Sequence, residues 1–302
     1  MSTVDVLGPS SLPPTPAAEP VVEHHRRRRF GAVRGMPLQA KIGAGILALF
    51  VLAAILAPLL APYGRNELDF NNILSAPSAQ HLFGTDNAGR DVFSRSLYAL
   101  RVDLLMVAAV TYIPLPIGVL VGATAAYFGG RVDSIVARIC DVLIAFPFMV
   151  LVVAVIAMVG PGVKGVLIGV PLVAWALYAR LARSEMLVMR EQPFMLATTA
   201  LGYSHRRAIL RHAVPNLMRA ALIYSTLDMV VNLLLLASLA YLGLGAQPPT
   251  PELGSIIADG QNTLLTAWWV ATFPGLVVVL FGVGAGLLGD GLSDGDLHGG
   301  PQ

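Results

Sequence analysis

Six stretches of this 302-residue chain are apolar and close to the length, about 20 residues, that crosses a lipid bilayer as a helix. They run Ile42–Pro62, Leu104–Phe128, Val142–Val159, Val166–Leu181, Leu217–Leu242 and Trp268–Leu288. Hydrophobic residues make up 56% of the chain and charged ones only 13%, too apolar a balance for one soluble core to enclose. Lipid must therefore solvate much of the surface. The expected fold class is all-α: a polytopic membrane helical bundle of six transmembrane helices, with both termini on one side. The single cysteine, Cys140, excludes an internal disulfide and any multi-cysteine metal site.

Charge then assigns the sides. With the N-terminus inside, fifteen of the 20 Lys and Arg fall in internal segments, and five (Arg65, Arg90, Arg95, Arg101 and Lys164) fall outside. Cytoplasmic loops carry that excess, so both termini are expected in the cytoplasm. Residues 1–36 read as a disordered basic tail, and the run Arg26–Arg29 as an orientation signal beside anionic lipid rather than a nucleic-acid site. A cleaved signal peptide fits poorly, because Ile42–Leu60 is longer than a usual signal core and further spans follow. Residues 37–103 hold the first span and a long external segment. Residues 104–288 form the core, with a cytoplasmic loop at 182–216, and 289–302 a second tail.

That loop is the strongest clue to function. Seven arginines lie from Arg180 to Arg219 in an otherwise sparsely charged chain. Pro193 suits a first helical position, Phe194, Leu196, Ala197, Ala200 and Leu201 form an apolar face, and Gly202 suits a left-handed stop. Ser204 can cap a second helix from His205 to Ala213, which Pro215 is expected to interrupt. Such a surface helix rests in lipid headgroups or fits a groove on a soluble partner. The small residues Ala197, Thr198, Thr199, Ala200 and Gly202 favour close protein contact.

The stretch resembles the cytoplasmic coupling loop of permease subunits in binding-protein-dependent ATP-binding-cassette importers. Leu196-Ala197-Thr198 stands where Glu-Ala-Ala is usual, Gly202 at the glycine, and His212-Ala-Val-Pro-Asn216 at the ending. Further segments are similar to the peptide/nickel permease family, second-permease type. These are His81-Leu-Phe-Gly-Thr-Asp-Asn-Ala-Gly-Arg-Asp-Val-Phe-Ser-Arg95, Ala126-Tyr-Phe-Gly-Gly130 with Asp133, and Asp141 to Pro147. Leu242-Gly-Leu-Gly-Ala-Gln-Pro-Pro249, Ala267-Trp-Trp269 and Leu288-Gly-Asp-Gly-Leu292 follow in order. Leu196 and Thr199 depart from the family by removing charge from the docking face. Tyr241, Glu252-Leu253 and the segment after Leu292 depart elsewhere.

The resemblance implies a multi-pass permease of a bacterial cell membrane, paired with a homologous permease subunit. It also implies two ATP-binding-cassette ATPases below and an external substrate-binding protein above. ATP and Mg would be bound by those ATPases, and no cofactor by this chain. Phe194, Ala197, Thr198, Gly202, Arg206 and Arg207 would contact an ATPase through the loop 190–216. Gln247, Pro248 and Pro249 would form a gate or meet the binding protein, as would Leu82–Arg95. Dipeptides or oligopeptides are the expected cargo, with nickel or haem as alternatives; the competing class is a channel or scaffold that uses no ATP.

The residues themselves bear on catalysis. A phosphate-binding loop needs Gly-Lys-Ser/Thr. Neither lysine, Lys41 nor Lys164, fits, so ATP hydrolysis belongs to another chain and no enzymatic site is expected here. Gly284-Ala-Gly286-Leu-Leu-Gly289 mimics a dinucleotide motif but sits on an apolar helix, where Gly282 and Gly286 read as packing positions. His81, His205 and His212 are scattered and imply no metal site. Asp133, Asp141 and Asp290 near span ends suit capping or packing. Asp228, mid-span and one turn from Asn232, either lines the translocation path and favours a cationic substrate end, or is hydrogen-bonded to a neighbouring helix or protonated.

Overall fold

A computed structural model describes residues 37–297; the expected tail at 1–36 and residues 298–302 lie outside the described residues. The described residues form helices and connecting loops with no strand. In chain order these are α1 (Leu38–Ile55), α2 (Ala57–Leu60), α3 (Val92–Tyr112), α4 (Pro114–Phe128), α5 (Gly130–Ala145), α6 (Phe148–Val159) and α7 (Val163–Met189). Then come α8 (Pro193–Ala200), α9 (His205–Arg207), a π-helical turn (Ala208–Ala213), α10 (Val214–Tyr241), α11 (Leu253–Gln261) and α12 (Trp269–Leu297). Five helical stretches are long and apolar enough to cross a membrane, and a sixth crossing exists only if the bent pair α5–α6 counts as one.

Prolines decide where the expected spans hold and where they change. The expected third span, Val142–Val159, is not one straight helix: α5 stops at Ala145 and α6 leaves at 92°. Phe146 precedes Pro147 and is extended, as the proline ring demands of its neighbour. α6 is left with 12 residues, or about 18 Å of rise against a hydrocarbon core of about 30 Å. The second span begins earlier than expected, at Val92, because Asp91 caps it by accepting from the Ser94 amide at 2.7 Å. It passes Ile113, itself helical, into α4, giving 37 residues in all.

Pro215 likewise does not interrupt. His205–Tyr241 is continuous over 37 residues, and the π-helical turn ends two residues before the proline. Wider i→i+5 pairing there makes room for a residue that lacks an N–H and carries a ring.

Two of the four buried clusters among the described residues form the body of the bundle. One gathers Val107 and Val110 of α3, Ile156 of α6, Val170 of α7, Leu236 and Leu239 of α10 and Phe281 of α12. The other lies between α4, α7 and α10 and includes Val119, Tyr178, Met186 and Leu217. Within the second, α4 approaches α7 through Gly118 and Gly122, a small-xxx-small pair that lets backbones touch. A Cβ on Gly118 would sit 2.5 Å from the Trp175 carbonyl oxygen, and one on Gly122 would strike the Ala179 carbonyl. On α12 the close approach to α1 is made not by Gly282 and Gly286 but by Gly284, against Ile46, and Gly291, against Ala40. Those two glycines share the face that meets α1; around Gly286 a Cβ meets nothing within 4 Å.

Opposite signs are therefore expected for two identical substitutions. Gly122→Ala should destabilise by about 1–3 kcal/mol through overpacking. Gly286→Ala should be neutral or stabilising by up to about 1 kcal/mol through helix propensity. Thermal unfolding of the two purified variants in detergent measures both.

Candidate functional site

At one end of the bundle the chain leaves α7, forms α8 and returns through α9 into α10. Gln192 is extended, Pro193 starts α8, and Gly202 takes φ +69°. The Tyr203 amide donates to the Thr198 carbonyl and the Gly202 amide to the Thr199 carbonyl, both at 3.0 Å. This pair of bonds is the Schellman closure, which needs a left-handed residue where Gly202 stands. Ser204 then accepts from the Arg207 amide at 3.4 Å, so both stop and restart fall where the sequence placed them.

The faces of α8 differ from an ordinary surface helix. Met195 and Thr198 turn inward, and the Thr198 hydroxyl donates to the Met195 carbonyl at 2.7 Å. Thr198, read as a docking contact, packs against its own chain. Phe194, Leu196, Ala197 and Leu201 point outward, with Leu196 58% and Leu201 69% exposed. The apolar side of this helix is the side its own chain leaves uncovered. Arg206 and Arg207 are exposed beside it, the Arg207 guanidinium 4.2 Å above the Tyr203 ring.

Arg190, Tyr127 and Arg183, to which sequence reasoning gave no individual role, hold this end in place. Arg190 donates to the Ala126 carbonyl at 3.2 Å, joining the end of α7 to α4. The Tyr127 hydroxyl lies 3.0 Å from His205 Nδ1. Asp133 accepts two bonds from Arg183, at 2.6 and 2.7 Å, which clamp α5 to α7. Tyr127, Phe128, Arg190, Met195, Thr199 and His205 border a shallow cavity of about 530 Å³ beneath α8. The visible signal was the span end Ala126-Tyr-Phe-Gly-Gly130, whose aromatic pair precedes two glycines at positive φ.

In mid-bundle, Asp228 and Asn232 are 9% and 2% exposed. Tyr178 of α7 donates to Asp228 Oδ2 at 2.7 Å, and Asn232 donates to the same oxygen and to Thr111 Oγ1 of α3, both at 2.9 Å. Of the two readings of Asp228, the geometry matches the one in which it bonds a neighbouring helix. The pair is enclosed by α3, α7 and α10 rather than presented to open space.

The opposite end is built from three loops. Asp86, fully buried, accepts from the amides of Ala88 and Arg90, from Arg90 Nε at 2.7 Å and from Arg95. That single carboxylate folds the Gly84–Arg90 turn. Gly84 and Gly89 have φ of +71° and +73° and press against Trp269 and Asp69. Trp269 Nε1 donates to the Thr85 carbonyl at 3.1 Å, and Arg90 reaches Asp259 at 3.6 Å. The Leu82–Arg95 motif is therefore mainly a staple between α3, α11 and α12. Gln247, Pro248 and Pro249 stand exposed at this end, with Gln247 Nε2 donating to the carbonyls of Gly243 and Gly245 at 3.0 Å each. The Gly162 amide donates to the Leu244 carbonyl at 3.1 Å, so the α6–α7 turn joins the same platform.

Removing one partner from the Asp228 cluster should show its role. Asp228→Leu strands Asn232 and the Tyr178 hydroxyl and should cost about 1–3 kcal/mol, whereas Asp228→Asn keeps an acceptor oxygen and should cost less. Thermal unfolding and transport should fall together across the two variants. Transport loss in Asp228→Asn at unchanged unfolding temperature would restore the path-lining role.

The chain matches two families: "Binding-protein-dependent transport system inner membrane component" over residues 115–294, and "N-terminal TM domain of oligopeptide transport permease C" over residues 39–77. Among similar proteins, a dipeptide transport system permease of Alkalihalophilus pseudofirmus is 37% identical over 255 residues, 84% of each chain. A glutathione transport system permease of Escherichia coli is 38% identical over 256 residues, again 84% of each. A probable D,D-dipeptide transport system permease of Escherichia coli is 37% identical over 262 residues, 87% of this chain and 88% of that one. With its membrane-length helices, the chain belongs to the binding-protein-dependent transport system inner membrane component family, as a multi-pass bacterial inner-membrane permease of an ATP-binding-cassette importer.

Proposed function

We propose that this permease carries short peptides, as half of a translocation path completed by a homologous permease subunit. One observation carries the substrate class: relatives 37–38% identical over at least 84% of this chain are named for dipeptide, D,D-dipeptide and glutathione transport. These cargoes share peptide linkages and small size.

The same reading places α8 and α9 in a cleft of one of two ATPase subunits, which bind ATP and Mg. The uncovered apolar face of α8 supports this, because Phe194, Leu196, Ala197 and Leu201 gain from burial only against another molecule. Arginines around that face suit a soluble acidic rim or lipid headgroups, and the small Ala197 and Gly202 allow the close approach a protein groove needs. The same reading takes the side of α8 as cytoplasmic, because the segments expected inside carry the excess of Lys and Arg in the sequence. Gln247–Pro249 then stands outside, in reach of a substrate-binding protein.

Co-purification with the encoded ATPases, followed by ATPase assays in liposomes with binding protein and dipeptide, tests the reading. Ala197 is exposed, so Ala197→Arg leaves the fold alone and inserts a charge into the docking face. Wild type should be stimulated by loaded binding protein, and the variant should lose the stimulation by on the order of 10-fold or more, equivalent to about 1.4 kcal/mol of coupling. A complex that assembles and responds to binding protein but not to dipeptide would keep the importer and remove the peptide. Absence of any ATPase partner would point to the channel or scaffold.

A further inference from the structure

Two carboxyl side chains are buried together at the loop end of the bundle. Asp103 on α3 is 4% exposed, and Glu252, immediately before α11, is 1% exposed. Asp103 Oδ2 accepts from the Leu253 amide at 3.0 Å and so caps α11 from 150 positions away in sequence. Glu252 Oε2 accepts from the Ala246 amide, closing the turn that carries Gln247–Pro249. The second oxygen of each, Asp103 Oδ1 and Glu252 Oε1, is buried without a hydrogen-bond partner among the described residues. The Glu252 carboxyl acts electrostatically on Asp103.

Among the described residues, neither carboxyl forms an ion pair. Arg101, on the helix of Asp103, points to solvent, and Lys164 at the start of α7 is exposed. On α11, Asp259 is turned toward Arg90 and Arg95. At the end of α10, the Tyr241 hydroxyl is bonded to Gln261. Lys41 on α1 belongs to the other end of the chain's first helix.

An ionised carboxylate only accepts hydrogen bonds, so two ionised groups cannot satisfy each other's free oxygens and repel besides. One proton changes both facts: it makes one free oxygen a donor, leaves the other as its acceptor and removes one charge. We propose that Asp103 and Glu252 hold a single proton between them, and that this shared proton latches the Gln247–Pro249 turn and α11 onto α3, releasing them as pH rises. Breaking the latch frees the Leu253 and Ala246 amides along with the carboxyls, so the exposed platform at this end loosens as a unit. The inference rests on this geometry and is independent of the transported substrate.

Burial pushes the Glu252 carboxyl from 4.5 up to about 7, with the Ala246 amide pulling the other way. A folded state that binds the proton more tightly than the unfolded chain loses stability as pH rises between those values. The latch is therefore complete in mild acid and fails through neutrality.

A reporter cysteine at exposed Gln247, in full-length protein with Cys140→Ala, reads the platform by its rate of maleimide labelling. The rate is divided, at each pH, by that of the same reporter carrying Glu252→Gln, whose amide donates to Asp103 and accepts from Ala246 without titrating. The ratio should be near one at about pH 6 and rise on the order of 10-fold, one pKa unit's worth of protonation bias, by about pH 8.5. Asp103→Asn, which supplies the donor from the other side, should flatten the profile equally and serves as reference if Glu252→Gln does not assemble. A carboxylic-acid carbonyl band in the infrared spectrum should disappear over the same range in wild type and be missing from both amide variants. A ratio fixed at one, or an Asp103→Asn profile that follows wild type, would overturn the shared proton.

Discussion

The approach of α4 to α7 through Gly118 and Gly122 is the contact on which the mid-span polar cluster and the α8 end of this permease depend. In lipid there is no hydrophobic drive between helices, so their association rests on packing and hydrogen bonds. Two missing side chains let the backbones meet, and the rest of the α7 face follows from that register. Tyr178, whose Cβ lies 2.5 Å from the position a Gly118 Cβ would take, is thereby aimed at Asp228 on α10. Further along the same pair, Arg190 reaches the Ala126 carbonyl, and the end of α4 brings Tyr127 to His205. A methyl group at Gly122 would disturb the mid-span polar cluster and the seat of α8 together.

Legibility in the sequence followed the range of the interactions. The α8 turn was readable because its causes are local: Pro193 at the start, Gly202 at the left-handed position and Ser204 at the next cap all act within a few residues. The long apolar helices were readable because bilayer thickness fixes their length. What failed was decided between segments or by neighbours of proline. Val142–Val159 looked continuous in hydropathy, but Pro147 forced Phe146 out of helical geometry. Pro215 looked like a stop, and the π-helical turn absorbed it. Thr198 reads as small and exposed in the pattern, yet it is the i+3 partner of Met195 on the inward face.

The acidic residues show the same division. Asp91 and Asp86 act on amides within a few positions, Asp91 as a cap and Asp86 as the centre of a tight turn. Asp103 carries no such local mark, because it caps a helix 150 positions away. Asp228 stood out in sequence for its cost in hydrocarbon, and two readings remained until Tyr178 and Asn232 were seen to share its Oδ2. A mid-span carboxylate is conspicuous from its own position, but its role is set by what the neighbouring helices bring to it.

The two ends are joined by one mechanical element. His205–Tyr241 runs unbroken for 37 residues, about 55 Å of helix. Its first residue touches Tyr127 beside α8, and its last precedes the turn closed by Glu252. On the proposed function, a partner that grips the apolar face of α8 moves the near end of this rod. The far end carries Gly245 and Gly254 packed against Ala240 and Ala237, contacts too close to slide independently. Displacement at the docking face must then appear at the loop platform, unless it is absorbed by the π-helical turn at Ala208–Ala213. That turn is the one stretch of the rod whose hydrogen bonding departs from α-helical pairing, and Pro215, two residues beyond it, removes a further bond. The place where the rod can yield therefore lies next to the docking face. Motion would be filtered there, before it reaches the membrane interior, where Asp228 and Asn232 tie α10 to α7 and α3 and resist bending.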